Sequence, residues 1–190
     1  MKKLLLLLSL IISTNLFAQD TCSIYGDNIS KTKSGIQHRH IDSCKNRKHE
    51  PEKYVITTFD EIADLKVTDS RTWNEGVTVE GWITDIKDGG KESCNCHSSV
   101  YKDTHVYLSK TEDGKSQDAI IVEVTPWFRA KLGSTRELKE KYLHKKVKVS
   151  GWLFKDDEHK TNSTIDGGLG NLWRHTTWEI HPITNIELVN

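Results

Sequence analysis

An acidic side chain and an imidazole alternate with apolar residues in the stretch WEIHP, close to the C-terminus of the 190-residue chain. Trp178 and Ile180 fall on one parity of this stretch, whereas Glu179 and His181 fall on the other. Successive side chains of a β-strand point to opposite faces, so the pattern predicts a strand with one apolar face and one acid–imidazole face. Pro182 has no N–H to donate, which predicts the end of the ladder or a bulge. An imidazole beside a carboxylate suits proton transfer or metal binding.

A second candidate for chemistry is the segment ESCNCH, in which one residue separates Cys94 from Cys96. Disulfide geometry is restrictive, so two cysteines this close do not easily pair with each other. One interpretation is that both ligate a soft metal such as zinc, with histidines completing a tetrahedral site. The candidate metal ligands are then Cys94, Cys96, His105 and His159, with His97 as a further donor.

The other interpretation is that Cys94 and Cys96 form disulfides with the remaining cysteines, Cys22 and Cys44. Four cysteines allow three pairings, and an oxidising compartment favours disulfides over a metal. Cys22 and Cys44 bracket much of a polar segment that has few large apolar residues. A disulfide would stabilise such a segment, so we expect Cys22 and Cys44 to be oxidised.

Alternating segments elsewhere in the chain predict the strands that position these residues. Residues 77–83 and 147–153 share the pattern V-x-V-x-G-x-[IL], and a glycine inside a strand often marks a bend or bulge in a barrel. Between them lie strand-like residues 105–108 and 119–124 and a helical pattern over residues 127–144. Gly133 and Ser134 are the positions at which this helix could divide in two.

The order strand, strand, strand, helix, strand, strand resembles the OB-fold, a five-stranded Greek-key barrel with a helix between its third and fourth strands. The V-x-V-x-G-x-[IL] pattern resembles that of the anticodon-binding-like members. The stretches ESCNCH and WEIHP also resemble a group of exported bacterial OB-type proteins. The resemblance implies an all-β domain with one helix, preceded by an irregular N-terminal extension.

The third strand of an OB barrel neighbours the second and the fifth, and this arrangement groups the candidate catalytic side chains. If Val106 and Leu108 face the core, then His105 faces outward. By the same alternation Glu123 faces outward from the third strand. The expected outer surface therefore contains His105, Glu123, Glu179 and His181, with Glu123, Glu179 and His181 as the candidate catalytic residues. The competing interpretation is that these polar side chains only keep the surface soluble.

The loops after strands one and four of an OB-fold flank the face that binds oligonucleotides or oligosaccharides. Both are long here, over residues 87–104 and 155–177, and long loops in compact domains are usually functional or disordered. The candidate ligand-binding residues are Trp82, Trp152, Trp173 and Arg174. Trp82 and Trp152 share the outward parity and could stack on bases or sugars. We favour the alternative that the helix or residues 54–75 cover them.

The N-terminal residues predict an exported protein, periplasmic or secreted. A basic start, an apolar run over residues 4–17 and Ala18 form the layout of a signal peptide. The apolar run is too short for a comfortable membrane span, and no second run follows. The expected organisation is a signal peptide over residues 1–18, a polar extension over 19–53, a strand and helix packing segment over 54–75 and the barrel over 76–190.

The charge balance limits the function classes. The chain has 27 basic and 27 acidic residues, so no global field steers polyanions towards it. We expect a binding module that holds a single-stranded nucleic acid or an oligosaccharide across the two loops, rather than an enzyme. The alternatives are a metal-dependent hydrolase, such as a phosphodiesterase with a divalent metal such as zinc, and an envelope adaptor. The sequence does not determine the oligomeric state.

Overall fold

The computed structural model describes residues 22–65 and 74–189, so the expected signal peptide over residues 1–18 lies outside the described part of the chain. The strands are β1 (Val55–Ile56), β2 (Gly76–Asp88), β3 (Thr104–Ser109), β4 (Ala119–Val124), β5 (Lys146–Lys155) and β6 (Trp178–Leu188). The helices are α1 (Lys33–Lys45), α2 (Phe59–Ala63), α3 (Arg129–Leu132) and α4 (Thr135–Tyr142). Short 3₁₀ turns cover Ser93–Asn95, Ser116–Asp118 and Asp157–Asn162. Among the described residues, no helix is long and apolar enough to cross a bilayer.

Five strands close into a barrel in the order β2-β3-β4-β6-β5, and β5 pairs back onto β2. The β2–β5 pairing is antiparallel and places Val77 opposite Gly151. The β4–β6 pairing is parallel, with Val122 opposite Ile180. The predicted five-stranded OB-like barrel is therefore confirmed, including the pairing of the two strands that share the glycine pattern.

The inward parity of each strand fills one apolar core. Val106, Ile120 and Ile180 are fully buried there, as their alternation predicts. The segment before β2 adds to this core through Phe59 and Ile62 of α2. Burial of this apolar surface is the main favourable contribution to folding.

β6 does not end at Pro182, because the strand continues to Leu188. The peptide bond between His181 and Pro182 is cis, and the register with β5 shifts on both sides of Gly151. A Cβ atom at Gly151 would overlap the Pro182 carbonyl oxygen, so only glycine allows the two backbones to approach this closely. The sequence left two alternatives at Pro182, the end of the ladder or a bulge. The structure therefore has an irregular register there, and the ladder continues.

Two short helices replace the single helix predicted over residues 127–144. Gly133, with a φ of 111°, follows α3, and Ser134 begins α4 as its N-cap. The Ser134 hydroxyl accepts a hydrogen bond from the Glu137 N–H, and the Glu137 carboxylate accepts one from the Ser134 N–H. This capping box fixes the division of the helix at the two positions that the sequence indicates.

The N-terminal extension, expected to be irregular, contains the 13-residue helix α1. Thr32 caps it by accepting a hydrogen bond from the Gly35 N–H. No apolar stripe in the sequence indicates α1, because the helix packs through Asp42, Cys44 and Lys45 rather than through large apolar residues. Helices without such a stripe are difficult to predict from periodicity.

The structure contains a disulfide, but its partners differ from the expected pair. Cys22 is bonded to Cys96, with the two Cα atoms 5.7 Å apart, and Cys44 is a buried free thiol. α1 holds Cys44 in its last turn, beside the His40 ring at 4.0 Å. Cys22 instead lies next to the β2–β3 loop, so the expected Cys22–Cys44 bond is corrected to a bond that joins the extension to the barrel.

Candidate functional site

Four polar side chains predicted to share one outer surface lie together on three adjacent strands. His105 on β3 is directly opposite Glu123 on β4, and β6 places Glu179 beside Ile121 of β4. His181 follows two residues later on the same face of β6. The structure differs from the expectation in burial, since Glu123, Glu179 and His181 are 3%, 0% and 0% exposed.

The burial comes from parts of the chain that fold over this outer face, which we call the cover. The cover consists of the end of α1 with Lys45 and Asn46, residues 92–95 of the β2–β3 loop, and residues 173–174 of the β5–β6 loop. The Asn46 amide donates to the Cys94 carbonyl, which ties the first two parts together. The two long loops therefore lie on the strand face rather than beside it.

The cover and the face beneath it form one group of buried and partly buried ionisable side chains, which we call the polar cluster. Its members are Lys45, Glu92, Cys94, Asp103, His105, Glu123, Asp156, Arg174, Glu179 and His181. Five of these side chains are carboxylates, and the two permanent cations are Lys45 and Arg174. With all five carboxylates ionised, and with neutral imidazoles and a neutral thiol, the polar cluster would have three negative charges in excess. Burial of uncompensated charge is costly, so this excess requires a physical explanation.

One side of the polar cluster is compensated by its two cations. The Arg174 guanidinium donates to Glu179 Oε2 at 2.8 Å and lies 3.6 Å from Asp156 Oδ2. Lys45 Nζ lies 2.9 Å from Glu92 Oε2 and 3.6 Å from Asp156 Oδ2. Burial and the Asp156 carboxylate raise the pKa of Glu179, but Arg174 and His181 outweigh them, so that this pKa is lowered. Arg174 is thus used inside the protein, although the sequence indicated it for ligand binding.

The other side of the polar cluster has no such compensation. Burial, followed by the Glu179, Glu92 and Asp103 carboxylates, raises the pKa of Glu123 well above its usual range. Burial also raises the pKa of Asp103, against the opposing effect of His181. Burial and the Asp103 carboxylate together raise the pKa of the Cys94 thiol. This side therefore disfavours negative charge unless a cation is present.

Several atoms on this side have no hydrogen-bond partner among the described residues. They are Asp103 Oδ1, His105 Nε2, Glu123 Oε2 and His181 Nε2. His181 Nδ1 lies 3.1 Å from Glu179 Oε1 and donates to this carboxylate, and in the neutral imidazole Nε2 then has a free lone pair. Asp103 Oδ2 lies 3.8 Å from His181 Nε2. Buried polar groups in proteins are nearly always paired, so these atoms need a partner.

Three overlapping sets of possible ligand atoms occur here, each with its atoms within 4.8 Å of one another. The sets are Glu92, His105 and Glu123; Glu92, Cys94 and Asp103; and Asp103, Glu123 and His181. Carboxylate, imidazole and thiolate are the donors that bind zinc and related divalent metals in proteins. The arrangement can therefore hold a cation between β3, β4, β6 and the β2–β3 loop.

The structure brings two of the four sequence-predicted metal ligands into the polar cluster, namely Cys94 and His105. The assignment of Cys96 as a metal ligand is wrong, because its sulfur is in the disulfide with Cys22 and offers no thiolate. His159 lies outside the three ligand sets, with Nδ1 at 2.7 Å from Asp156 Oδ2. Sequence reasoning missed Glu92, although it lies in the ESCNCH segment. It also missed Lys45 and Asp103, for which no sequence pattern gave a signal.

The aromatic candidates for ligand binding mostly contact the protein itself. The Trp152 indole N–H donates to the His49 carbonyl, and the Arg47 guanidinium lies 4.4 Å from its ring centre. Residues of the extension thus cover Trp152, where cover by the helix or by residues 54–75 was expected. Trp173 stacks on the His105 ring at 6.2 Å between centres. Trp82 is half-buried on β2.

A cavity of about 270 Å³, which we call the vestibule, reaches the edge of the polar cluster. It is lined by Ile41, Asp42, Lys45, Lys91, Glu92, Ser93, His97, Glu158 and His159. Lys45 and Glu92 belong to both the vestibule and the polar cluster. The vestibule therefore offers a route by which solvent or an ion could reach Glu92.

No protein-family model matches the chain, and no curated protein matches it. Solved structures similar to the chain include the asparaginyl-tRNA synthetase of Entamoeba histolytica, at 14% identity and a TM-score of 0.38. The same synthetase in complex with asparaginyl-adenylate is 12% identical, also with a TM-score of 0.38. In both comparisons 72% of this chain covers 24% of the synthetase, so the chain spans about a quarter of that protein. The OB-like assignment rests on the closed barrel itself, because likeness at this level carries no inference about ligands.

Proposed function

We propose that this chain is an OB-fold protein that binds a divalent transition metal, such as zinc, in the polar cluster. The observation that carries the proposal is the Nε2 atom of His181. This nitrogen belongs to a side chain that is 0% exposed, it has no hydrogen-bond partner among the described residues, and it faces Asp103. A metal ion gives this lone pair a partner and neutralises the carboxylates beside it.

The spacing of the donor atoms supports a metal. Ligand atoms of a tetrahedral zinc site lie about 3.3 Å apart, because each bond to nitrogen or oxygen is about 2.0–2.1 Å long. His105 Nε2 lies 3.3 Å from Glu123 Oε1 and 3.7 Å from Glu92 Oε1. Side-chain shifts of a few tenths of an ångström therefore convert these separations into coordination distances.

The surroundings of His181 also support a metal ligand. Metal-binding histidines usually donate their second ring N–H to a carboxylate, which fixes the orientation of the ring. Glu179 accepts that hydrogen bond here, and Arg174 in turn donates to Glu179. The chain thus contains the carboxylate–histidine pair that such a site requires, held in place before any metal binds.

Export to an oxidising compartment is part of this proposal. The signal-peptide pattern over residues 1–18 supports export, and so does the disulfide between Cys22 and Cys96, since disulfides are rare in reducing compartments. The Cys22–Cys96 bond joins the extension to the loop that carries Glu92 and Cys94. Oxidation is therefore expected to hold the β2–β3 loop in the cover.

Binding of a single-stranded nucleic acid or an oligosaccharide across the two loops receives less support. Such ligands would contact the outer face of β3 and β4, where Tyr107 and Ile121 are buried beneath Trp173. Trp152, a candidate stacking residue, is covered as well. The chain would have to displace its own cover to expose this face.

Metal-dependent hydrolysis is the second candidate function, and the vestibule is the observation that favours it. Lys45 lines the vestibule and lies 2.9 Å from Glu92, so an anionic substrate there would meet a cation next to the metal ligands. The metal would supply Lewis-acid chemistry or an activated water. Hydrolysis of bis(p-nitrophenyl) phosphate by the zinc-loaded protein would support this function, and binding without turnover would contradict it.

The proposed function is tested by a zinc titration of the protein purified after export and treated with a chelator. We expect calorimetry to detect zinc binding to the native chain and a loss of affinity of at least tenfold in His181→Ala. His144→Ala is the matched control, since His144 is an exposed histidine between α4 and β5, outside the three ligand sets and the vestibule. Absence of zinc binding by the native chain, or equal weakening by both substitutions, would refute the proposal.

A further inference from the structure

Glu123 lies between the two imidazoles of the polar cluster. Its Oε1 atom is 3.3 Å from His105 Nε2, and its Oε2 atom is 3.4 Å from His181 Nδ1. His105 and Glu123 are direct partners in the β3–β4 ladder, so the backbone fixes their proximity. The carboxylate therefore lies between the two rings, with Oε1 near His105 Nε2 and Oε2 near the Nδ1 edge of His181.

Two of the three possible ligand sets share this one carboxylate. The first set contains Glu92 and His105 with Glu123, and the second contains Asp103 and His181 with Glu123. Apart from Glu123 the two sets have no residue in common. A carboxylate that belongs to two ligand sets, and that has two oxygens, is suited to bridge two metal ions.

Cys94 lies between the remaining ligands of the two sets. Its Sγ atom is 3.7 Å from Glu92 Oε2 and 3.9 Å from Asp103 Oδ2. The thiol is 2% exposed and lies outside the Cys22–Cys96 disulfide. Cys94 can thus act as a further donor to either position once a nearby cation lowers the pKa of the thiol.

The charge of the polar cluster accommodates a second cation. With all five carboxylates ionised, as bound cations would keep them, Lys45 and Arg174 leave three negative charges without a partner. One divalent cation reduces this excess to one, and ionisation of the Cys94 thiol at a metal would bring it to two, which a second divalent cation balances. The unpartnered atoms divide in the same way, because His105 Nε2 belongs to the first set, and His181 Nε2 and Asp103 Oδ1 belong to residues of the second.

We propose that the polar cluster binds two divalent cations, about 3.5–4 Å apart, as in two-metal sites generally, with Glu123 as the bridging ligand. The first cation binds His105 and Glu92, and the second binds His181 and Asp103. This inference rests on the proposed function, because it specifies the number and ligands of the metals at the same site. A two-metal site of this kind would take zinc or another divalent transition metal.

The inference is tested by the number of zinc ions bound per chain, measured by elemental analysis after equilibration with excess zinc and removal of free metal. We expect about two ions for the native chain and for the control His144→Ala. His105→Ala and His181→Ala should each bind about one, and Glu123→Gln should bind none tightly. Circular dichroism of each variant verifies that the comparison involves folded protein.

The outcomes separate the inference from the function on which it rests. One ion per native chain, with either histidine substitution removing it, would overturn the two-metal site and leave the metal-binding function intact. No zinc in the native chain would overturn both. If Glu123→Gln fails to fold, the two histidine variants still decide, since a bridged pair requires that each of them lose one of two ions.

The native chain loaded with manganese provides a second measurement that does not depend on any substitution. Two Mn²⁺ ions bridged by one carboxylate couple magnetically, so the electron paramagnetic resonance spectrum at two equivalents should differ from the six-line spectrum of an isolated ion. A spectrum that only doubles in intensity between one and two equivalents would contradict the bridge.

Discussion

Two groups of charged side chains lie on the outer surface of the same barrel, and they differ mainly in burial. Glu80 on β2 and Lys146 on β5 form an ion pair at 3.2 Å, with side chains that are 45% and 43% exposed. Arg174 and Glu179 form an ion pair at 2.8 Å, with side chains that are 1% and 0% exposed. Water screens the first pair, whereas the second lies beneath the cover in a medium of lower polarity.

This difference shows which polar residues need a functional explanation. An exposed pair such as Glu80–Lys146 contributes little to stability, and its side chains are explained by solubility alone. A buried cluster with more carboxylates than cations opposes folding unless some carboxylates take up protons or a further positive charge enters it. Burial therefore distinguishes the polar cluster from an ordinary polar surface, although both have the same alternating sequence pattern.

The largest expected effect comes from removal of the buried cation. In metal-free protein, Arg174→Met should lower the free energy of unfolding by about 3–5 kcal/mol, because Glu179 remains buried without its ion partner. Lys146→Met removes the exposed cation of the other pair and should cost less than about 1 kcal/mol. Urea denaturation in the presence of a chelator measures both changes. Equal small losses in the two variants would show that the two pairs do not differ as proposed.

The sequence was sufficient for the strand order and for the grouping of the outward side chains. Alternation with a period of two placed Glu179 and His181 on one face, and OB topology placed Glu123 and His105 beside them. These features follow from local periodicity and from a known order of strands. They do not depend on how the rest of the chain folds.

Burial of this face could not be predicted, because it depends on packing between parts distant in sequence. Lys45 reaches Glu92 across 47 residues, and Asp103 precedes β3 in a loop without a sequence signal. The polar extension resembles a solvated segment, since α1 has no apolar stripe. The disulfide partner of Cys22 depended on the same packing, so spacing alone left three pairings open.

A second prediction concerns the bond that anchors the cover over the buried group. Cys22→Ser removes the disulfide to Cys96 and should lower the free energy of unfolding by about 2–5 kcal/mol. Cys44→Ser is the control, because Cys44 is a free thiol, and its substitution should leave the disulfide intact. Denaturation of both variants, with mass spectrometry of the bonded peptides, measures these effects. A bond between Cys22 and Cys44 in the native protein would contradict the structure.

The smallest expected effect is a dependence of stability on pH at the margin of the polar cluster. His159 lies at the edge of the vestibule, with a side chain that is 31% exposed, and Asp156 holds its ring at 2.7 Å. The hydrogen bond to Asp156, opposed by burial, raises the pKa of His159 above its ordinary value of 6.5. A raised pKa in the folded state means that the folded protein binds the proton more tightly than the unfolded chain does.

Tighter proton binding by His159 stabilises the folded protein. This stabilisation is complete below pH 6.5 and is lost as the pH rises through the raised pKa of His159. We expect His159→Gln to cost less than about 1 kcal/mol at pH 5.5, because solvent screens a partly exposed pair, and to cost nothing well above the raised pKa. Urea denaturation of both proteins across this pH range measures the difference.

The Glu80–Lys146 pair provides the contrast, since free glutamate and lysine side chains do not titrate between about pH 5.5 and 8.5. The cost of Lys146→Met should therefore stay constant over the range in which the cost of His159→Gln disappears. A cost of His159→Gln that is independent of pH would show that Asp156 does not hold a protonated imidazole.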